Sequence, residues 1–350
     1  MKSTRKGLMI NKKQKGHTKM KKFLALALAF CMVFALCATA SADDHEPITL
    51  NLSMTATMEE HHGACYEPFK AYIEEKCPWI TIEIHPSSTL YDDSTFLDAI
   101  MRGNVEMGVT APGYLGEYAP AVAIFAAPYF FDSIEQMNEV CNGELGAEIF
   151  QQVEEDLGIH ILGTLYKGRR TINLREDKEI TCRDDLKGVL LRVPGGESWV
   201  KMGDALGCTP TAMALSEVYL ALQAGTVDGQ DNPLQATMNY AFGEVTKSIT
   251  MTNHVIDINW LCIQSEIWNS FDDETKAAFN EAFAIAYEDC FNAYNNEESD
   301  LIAKFREMGV TVYDETDYSV LAKEVWEYIY ANPNEFPSYD LSVYELVHGK

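Results

Sequence analysis

One uninterrupted segment near the end of the chain restricts the fold more than any other feature. Residues 272–308 contain no proline and only helix-compatible residues, with intermittent apolar positions on one face, and Gly309 follows as a stop signal. A continuous helix of about 37 residues would be about 55 Å long, which exceeds the span of one small domain. The segment therefore predicts a helix that connects two lobes.

Strand and helix patterns alternate along the preceding part of the chain. Alternating or continuous apolar runs predict strands at 48–54, 79–84, 105–109, 159–165, 188–193 and 227–230. Helical patterns fall at 63–76, 93–102, 197–206 and 216–222, with Ser216 as the expected N-cap of the last. Because strands that alternate with helices pair in parallel, we expect an α/β layer structure.

The first 42 residues have the composition of a secretory signal peptide. They hold nine Lys and Arg and no acidic residue, and Lys21-Lys22 precedes an apolar run, 23–36, that is short for a membrane span. Ala40-Ser41-Ala42 then offers a small-residue cleavage site. Met20 is an alternative start, which would make residues 1–19 an upstream extension. The chain is therefore predicted to be exported to a periplasmic or other extracytoplasmic location.

The charge of the chain excludes one class of partner. The sequence has 27 Lys and Arg against 53 Asp and Glu, a net charge of −26, and the part beyond residue 42 has 18 basic against 53 acidic residues, or −35. Nucleic-acid binding needs a basic surface that can approach phosphates. We therefore expect no nucleic-acid partner, and the mutual repulsion of so acidic a chain favours a monomer.

The sequence shows no enzyme signature and no clear metal or disulfide motif. There is no G-x-S-x-G, P-loop, G-x-G-x-x-G or H-E-x-x-H pattern, so neither an enzyme nor a cofactor is predicted. Residues 59–62, Glu-Glu-His-His, are the only local cluster of metal-ligand types, and we interpret them as surface residues. Seven widely spaced cysteines follow the leader, and they are predicted to be core residues with at most one disulfide.

Arg192 is the residue most suggestive of a binding site. It lies near the carboxyl end of the predicted strand 188–193, and a buried guanidinium needs a carboxylate partner from the protein or from a ligand. Ligands of open α/β sheets lie beyond such strand ends. The residues alone leave both partners open for Arg192. The same holds for Arg169-Arg170 and Asn232, which follow two other strands and could equally be surface or turn residues.

Several segments of the chain, taken in order, resemble the sequence pattern of one protein family. The core signature of that family is similar to three segments: Asp185-Leu-Lys-Gly-Val-Leu-Leu-Arg-Val-Pro194, Leu206-Gly-Cys-Thr-Pro-Thr-Ala-Met213 and Ser216-Glu-Val-Tyr-Leu-Ala-Leu-Gln-Ala-Gly-Thr-Val-Asp-Gly-Gln-Asp-Asn-Pro233. Segments 87–93, 102–107, 125–131 and 252–254 agree as well. The chain resembles the extracytoplasmic solute-binding proteins of TRAP transporters, the DctP type, over roughly residues 48–325.

The resemblance implies a two-lobed, periplasmic-binding-protein-like α/β fold with a long lobe-bridging helix. We expect interleaved lobes, the first from residues 43–168 plus 258–296 and the second from 169–257 plus 297–350. A small organic acid would bind between them, either a sugar acid such as a uronate, a keto acid or a dicarboxylate. Membrane permease subunits of a TRAP transporter would then receive it.

The resemblance also assigns ligand-binding residues. The arginine at the position of Arg192 pairs with the ligand carboxylate in this family, and a second arginine matches Arg170, with Arg169 as the alternative. Asn232 matches the asparagine of the family's Q-E-N-P motif, in which Asp231 replaces the glutamate. The other positions carried over to the ligand site are Thr55, Asp93, Leu215, Tyr91 and His254.

Three of these positions depart from the family pattern. Tyr91 replaces a common glycine, and its ring could turn toward the cleft. Leu215 replaces a common aromatic residue, so stacking on the ligand would be lost there. Ala111 occupies a position that contacts the ligand through a polar side chain in some sialic-acid binders. Sialic acid is therefore not the first ligand we expect.

Three functions compete at this stage. The leading hypothesis is a binding protein that closes on a carboxylate and delivers it to a cation-driven permease. A binding protein that docks a membrane receptor as a sensor would have the same pocket. A secreted carbohydrate-active enzyme with a Glu/Asp pair is the third hypothesis, and the missing enzyme motifs argue against it.

Overall fold

The computed structural model describes residues 45–349, so the predicted signal peptide lies outside the described residues. All six predicted strands are present, and the structure adds β6, β8 and β9. The strands are β1 (Ile48–Ser53), β2 (Ile80–His85), β3 (Met107–Thr110), β4 (Ile159–Leu174), β5 (Leu190–Val193), β6 (Thr209–Ala212), β7 (Gly229–Pro233), β8 (Ser248–Gln264) and β9 (Thr311–Tyr313). They form one sheet in the order β2-β1-β3-β8-β4-β7-β5-β6, and β9 pairs with β8.

The middle of this sheet corrects the prediction of parallel pairing. The pairs β1–β2, β1–β3, β5–β6, β5–β7 and β8–β9 are parallel, as the alternation of strands and helices indicates. The pairs β3–β8, β4–β8 and β4–β7 are antiparallel. The long strands β4 and β8 lie side by side across the centre, and they join the two mainly parallel ends of the sheet.

Helices cover the sheet and connect its strands. They are α1 (His61–Ala64), α2 (Tyr66–Lys76), α3 (Phe96–Met101), α4 (Pro112–Leu115), α5 (Ile134–Cys141), α6 (Glu144–Leu157), α7 (Glu197–Leu206), α8 (Val218–Ala224), α9 (Leu234–Asn239), α10 (Ser265–Ser270), α11 (Asp273–Glu307), α12 (Ser319–Ala331) and α13 (Leu341–Val347). No helix among residues 45–349 has both the length and the apolar character that crossing a membrane requires.

The ends of two helices test the capping predictions. Gly207 and Gly225 end α7 and α8 with φ values of 93° and 74°, a left-handed conformation that glycine adopts without strain. Ser216 does not cap α8, which begins at Val218 after a short 3-10 turn, Leu215–Glu217. That prediction was wrong because the 3-10 turn delays the start of the helix.

Helix α11 confirms the prediction of one long bridging helix. It runs without a break for 35 residues, and the Asp272 side chain accepts a hydrogen bond from the Thr275 backbone N–H at 2.8 Å. Phe279, near its start, belongs to the main hydrophobic core and packs edge-on against Phe69 of α2. Phe305, near its end, belongs to a separate cluster with β8 and β9. The helix therefore connects two packed regions, while the lobe boundaries themselves stay a prediction.

The cysteines behave as core residues. Six of the seven beyond the leader are buried, and Cys182 is half-buried. Burial raises the pKa of the Cys141 thiol to about 12, so this thiol stays protonated and unreactive at neutral pH. The prediction of small core residues is confirmed for Cys65, Cys77, Cys141, Cys208, Cys262 and Cys290.

Candidate functional site

A cavity lies beyond the carboxyl ends of several parallel strands. Its wall includes residues that end or follow β1, β3, β5 and β7, which is where open α/β sheets bind ligands. Its lining residues are Thr55, Ala56, His62, Asp93, Val109, Ala111, Tyr114, Lys167, Arg170, Arg192, Pro194, Trp199, Leu215, Asn232, Asp257 and Asn259.

Arg192 is a buried cation with no carboxylate partner in the part of the chain that the structure describes. Its side chain comes from β5, and the residue is only 2% exposed. Nε and Nη2 donate to the Met213 carbonyl oxygen at 3.1 and 2.7 Å. Among residues 45–349, Nη1 has no hydrogen-bond partner and no carboxylate pairs with the guanidinium. Burial accordingly lowers the pKa of Arg192 to about 10. The sequence left open whether the carboxylate partner of Arg192 comes from the protein or from a ligand. The described residues provide no such carboxylate.

Arg170 lines the same cavity but is fully paired. Nε and Nη1 donate to Asp231 Oδ2 at 2.6 Å and to Asp257 Oδ2 at 2.8 Å, and Nη2 donates to the Asp231 carbonyl oxygen at 2.7 Å. The guanidinium also lies 4.8 Å from the ring centre of Trp199. Burial disfavours the charged form of Arg170, but the attraction of the two carboxylates is larger and raises the pKa of Arg170. The predicted second anchor thus already has protein partners.

Asp231 and His254 lie behind Arg170 and do not line the cavity. Asp231 is fully buried, and its Oδ2 lies 3.4 Å from His254 Nε2. His254 Nδ1 is in turn 2.8 Å from the Thr252 hydroxyl oxygen. Burial opposes ionisation of Asp231, yet Arg170 and His254 lower the pKa of this carboxyl. Both residues, predicted as ligand contacts, hold Arg170 in place.

Tyr91 does not line the cavity either. Its backbone N–H donates to the Ser53 hydroxyl at 3.2 Å, and its carbonyl oxygen accepts from that hydroxyl at 3.1 Å. The half-buried ring packs against the main hydrophobic core. The ring therefore does not take the place toward the cleft that the sequence suggested.

The other predicted residues do line the cavity. Asn232 is buried, and its Nδ2 donates to the Gln230 side-chain oxygen at 2.6 Å. Thr55 hydrogen-bonds the Asp93 carboxylate, although burial still raises the pKa of Asp93. Leu215 and Ala111 contribute apolar surface. The structure thus brings most of the predicted site residues together.

The sequence analysis missed several lining residues, of which His62 is the most informative. The interpretation of residues 59–62 as surface was wrong for His62, which is 1% exposed, and for Glu60, which is also buried. Burial, and then the nearby Lys167, lower the pKa of His62 to about 3. The position of this segment directly after β1 was the available signal. The other missed residues are Ala56, Val109, Tyr114, Lys167, Pro194, Trp199, Asp257 and Asn259.

A larger cavity adjoins the first one. It shares Thr55, Asp93, Tyr114 and Leu215 with the first. Most of its exposed surface is apolar, and six of its eleven other lining residues carry a hydroxyl group. These six are Thr57, Ser87, Ser88, Ser94, Ser216 and Tyr240.

The fold and the cavity define a two-lobed solute-binding protein. The family model of the bacterial extracellular solute-binding proteins, family 7 (DctP), matches residues 52–332. The chain therefore belongs to this family, and the predicted identity as a DctP-type protein of TRAP transport is confirmed.

Curated relatives agree with this assignment. A solute-binding protein of Roseobacter denitrificans is 35% identical over 60% of this chain, and the match spans 63% of that relative's length. The sialic acid-binding periplasmic protein SiaP of Vibrio cholerae is 26% identical over 78% of this chain and 85% of its own length.

Solved structures show the same fold. A TRAP periplasmic solute-binding protein of Roseobacter denitrificans with bound 3-deoxy-D-manno-oct-2-ulosonic acid is 30% identical, with a TM-score of 0.81 over 87% of this chain and 99% of that one. Another from the same organism, with bound L-galactonate, is 27% identical, with a TM-score of 0.78 over 87% and 99%. These structures support the two-lobed fold class of this chain.

Proposed function

We propose that this protein captures a sugar acid in the cavity and delivers it to a TRAP-type secondary transporter. The observation that carries the proposal is the unpaired Nη1 of Arg192, a buried permanent cation on the cavity wall. A ligand carboxylate is the group that such a cation requires. Sugar acids bound by two solved relatives, an octulosonic acid and L-galactonate, support this class of ligand.

The binding step needs no chemistry beyond charge and hydrogen bonding. The ligand carboxylate would accept from Nη1 of Arg192, and Nη2 has a second N–H for the other oxygen. Arg170 lines the cavity, but Asp231 and Asp257 hold it in place and balance its charge, so it would contribute a fixed guanidinium and not a free cation. Asn232, Thr55, Asp93 and Leu215 complete the proposed contacts. No bond in the ligand is made or broken.

Closure of the two lobes follows from where the contacts lie. A ligand that touches both lobes only when they are shut binds the shut state more tightly and shifts the population toward it. The shut state then presents a surface that the permease subunits can distinguish from the open one. We place this step outside the cytoplasm, in the periplasm or at the cell surface.

The protein should act as a monomer until it meets its permease. The chain beyond residue 42 has a charge of −35, which opposes self-association at low salt. Light scattering should give the mass of one chain, and twice that mass at physiological salt would contradict this part of the proposal.

Titration calorimetry with Arg192 variants tests the anchor. A thermal-shift screen of sugar acids, keto acids and dicarboxylates first selects the ligand, because a ligand at 100 times its Kd stabilises by about 2.7 kcal/mol. Arg192→Ala should then lose about 2–5 kcal/mol of affinity, since the desolvated carboxylate is left unpaired. Arg192→Lys should recover part of this, because an ammonium lacks the planar fork.

Arg102→Ala is the matched control, because Arg102 is an exposed arginine outside the cavity wall. It should bind like the wild type. If Arg192→Ala binds within about threefold of the wild type, the proposed carboxylate anchor is wrong. Circular dichroism should confirm that Arg192→Ala folds, because the substitution also removes the two hydrogen bonds to the Met213 carbonyl oxygen.

A further inference from the structure

His62 is a buried polar side chain whose ring nitrogens form no hydrogen bond within residues 45–349. It lies on the short helix α1 just after β1, and it lines the cavity. Neither Nδ1 nor Nε2 has a partner among the described residues, and the residue is 1% exposed. Buried polar groups are almost always paired, and an unpaired one destabilises the fold. An unpaired imidazole on a cavity wall therefore indicates a group that a ligand satisfies.

The surroundings of His62 contain charges of both signs. Lys167 and Asp93 line the same cavity, and Lys167 adds to the lowering of the pKa of His62 and offsets part of the rise that burial causes in the pKa of Asp93. Burial is the larger cause at His62, so the imidazole is neutral at any pH near 7. A neutral imidazole offers one donor and one acceptor, and the Thr55 hydroxyl nearby offers both as well.

We infer that His62 is a second recognition point, which exchanges hydrogen bonds with hydroxyl groups of the ligand, and that the site prefers a polyhydroxylated acid with one carboxylate over a dicarboxylate. The inference rests on the proposed function, which places that one carboxylate at Arg192. The two imidazole nitrogens point in different directions, so each bonds a separate ligand group, and a ligand hydroxyl can accept from the N–H or donate to the other nitrogen. A carboxylate can only accept from the N–H and cannot pair the other nitrogen, and a second carboxylate would also meet Asp93.

The adjoining cavity fits a ligand of this kind. Thr57, Ser87, Ser88 and Ser216 present hydroxyl groups there, and the cavity joins the first one at Thr55 and Asp93. Each additional ligand hydroxyl would find donors and acceptors along this wall. A simple four-carbon dicarboxylate would leave these groups to water.

Galactonate and galactarate provide a matched pair of ligands for the test. They share six carbons and four hydroxyl groups, and galactarate has a second carboxylate where galactonate has CH₂OH. Calorimetry should show galactonate bound at least tenfold more tightly than galactarate. The thermal-shift screen also includes D-galacturonate, D-glucuronate, succinate and malate, so that a stronger ligand of either class is found.

His62→Leu should lower the affinity for galactonate, or for the tightest-binding sugar acid in the screen, by about tenfold. This loss corresponds to one buried hydrogen bond. His62→Gln keeps a donor and an acceptor and should recover most of the loss. His61→Leu is the control on the same helix, because the His61 ring bonds Glu297 at 2.5 Å and does not line the cavity. It should bind within about twofold of the wild type.

The outcomes separate this inference from the proposed function. If Arg192→Ala weakens binding but His62→Leu does not, the inference is wrong and the proposed anchor stands. If no monocarboxylic sugar acid binds, or if a dicarboxylate binds more tightly, the inference is also wrong. Circular dichroism checks the fold of each variant, and if His62→Leu does not fold, His62→Gln and the galactonate-to-galactarate ratio decide.

Discussion

Arg170 and Arg192 are equally buried, yet the protein treats the two cations differently. Arg170 forms ion pairs with two aspartates, whereas Arg192 donates only to a carbonyl oxygen and keeps Nη1 unpaired. A buried ion pair that loses one partner leaves an uncompensated charge, which is strongly destabilising. Removing Arg192 takes away an uncompensated charge, but it also breaks the two hydrogen bonds to the Met213 carbonyl oxygen. Substitution of Arg170 should therefore cost more stability than substitution of Arg192.

Arg170→Ala should lower the free energy of unfolding by about 3–5 kcal/mol, because Asp231 and Asp257 would remain buried without their partner. Urea unfolding of the ligand-free protein measures this change. Arg169→Ala is the control, since Arg169 is half-buried and forms no ion pair among the described residues. A loss of less than 1 kcal/mol for Arg170→Ala would show that the ion pairs do not stabilise the fold.

The buried imidazole of His62 should make stability depend on pH. Its pKa is about 3 in the folded protein against an ordinary value of 6.5, so below pH 6.5 the unfolded chain binds a proton that the folded protein does not. Stability therefore falls as the pH falls. Between pH 7.5 and pH 5 the expected loss from His62 is about 2 kcal/mol.

His62→Leu should lack this part of the pH dependence. The pKa of His254 is also lowered by burial, so His254 contributes in the same direction in both proteins and cancels from the comparison. Urea unfolding of both proteins at pH 5 and pH 7.5 isolates the contribution of His62. Equal losses of stability in the two proteins would mean that the folded protein tolerates a charged His62.

The residues of the cavity were only partly predictable. Arg192 and Asn232 could be placed because each lies near the carboxyl end of a strand, where ligands of α/β sheets bind. The motif alone could not tell which of Asp231 and Asn232 contacts the ligand. Neighbouring residues on a strand point to opposite faces, and only Asn232 lines the cavity. The partners of Arg170 were hidden because Asp257 belongs to β8, a strand that the sequence analysis did not predict.

At the scale of elements, the predictable features are those with local signals. Helix α11 has no proline, a side-chain cap at Asp272 and Gly309 after its end, so its bounds follow from the sequence. Strand β8 has no such signal, because nearly all of its 17 residues are buried and no polar alternation marks it. The antiparallel centre of the sheet was missed for this reason.

Asp272→Ala should lower the free energy of unfolding by about 1 kcal/mol, the usual contribution of a side-chain N-cap. The Thr275 backbone N–H would lose its acceptor at the start of the helix that joins the two packed regions. Asp272→Ser is the matched variant, because serine also caps helices and should retain most of the stability. Thermal unfolding that ranks alanine equal to serine would show that the cap does not matter here.

At the scale of the whole molecule, an acidic protein has to bind an anion. The chain beyond residue 42 carries −35, and at 0.01 M salt this charge acts over a screening length of about 30 Å. At 0.15 M salt the length is about 8 Å, so only nearby charges act on the approaching ligand. The charges close to a bound carboxylate include Arg192 and Lys167. Salt should therefore remove the long-range repulsion and keep the local attraction.

The association rate of the sugar acid should accordingly rise severalfold between 0.01 M and 0.15 M salt, the reverse of a protein that steers its ligand by opposite charge. Stopped-flow measurement of tryptophan fluorescence can follow binding, because Trp199 lines the cavity. Arg192→Lys keeps every charge and should show the same salt dependence with faster dissociation. An association rate that falls with salt would mean that the cavity cations, and not the acidic surface, govern the approach of the ligand.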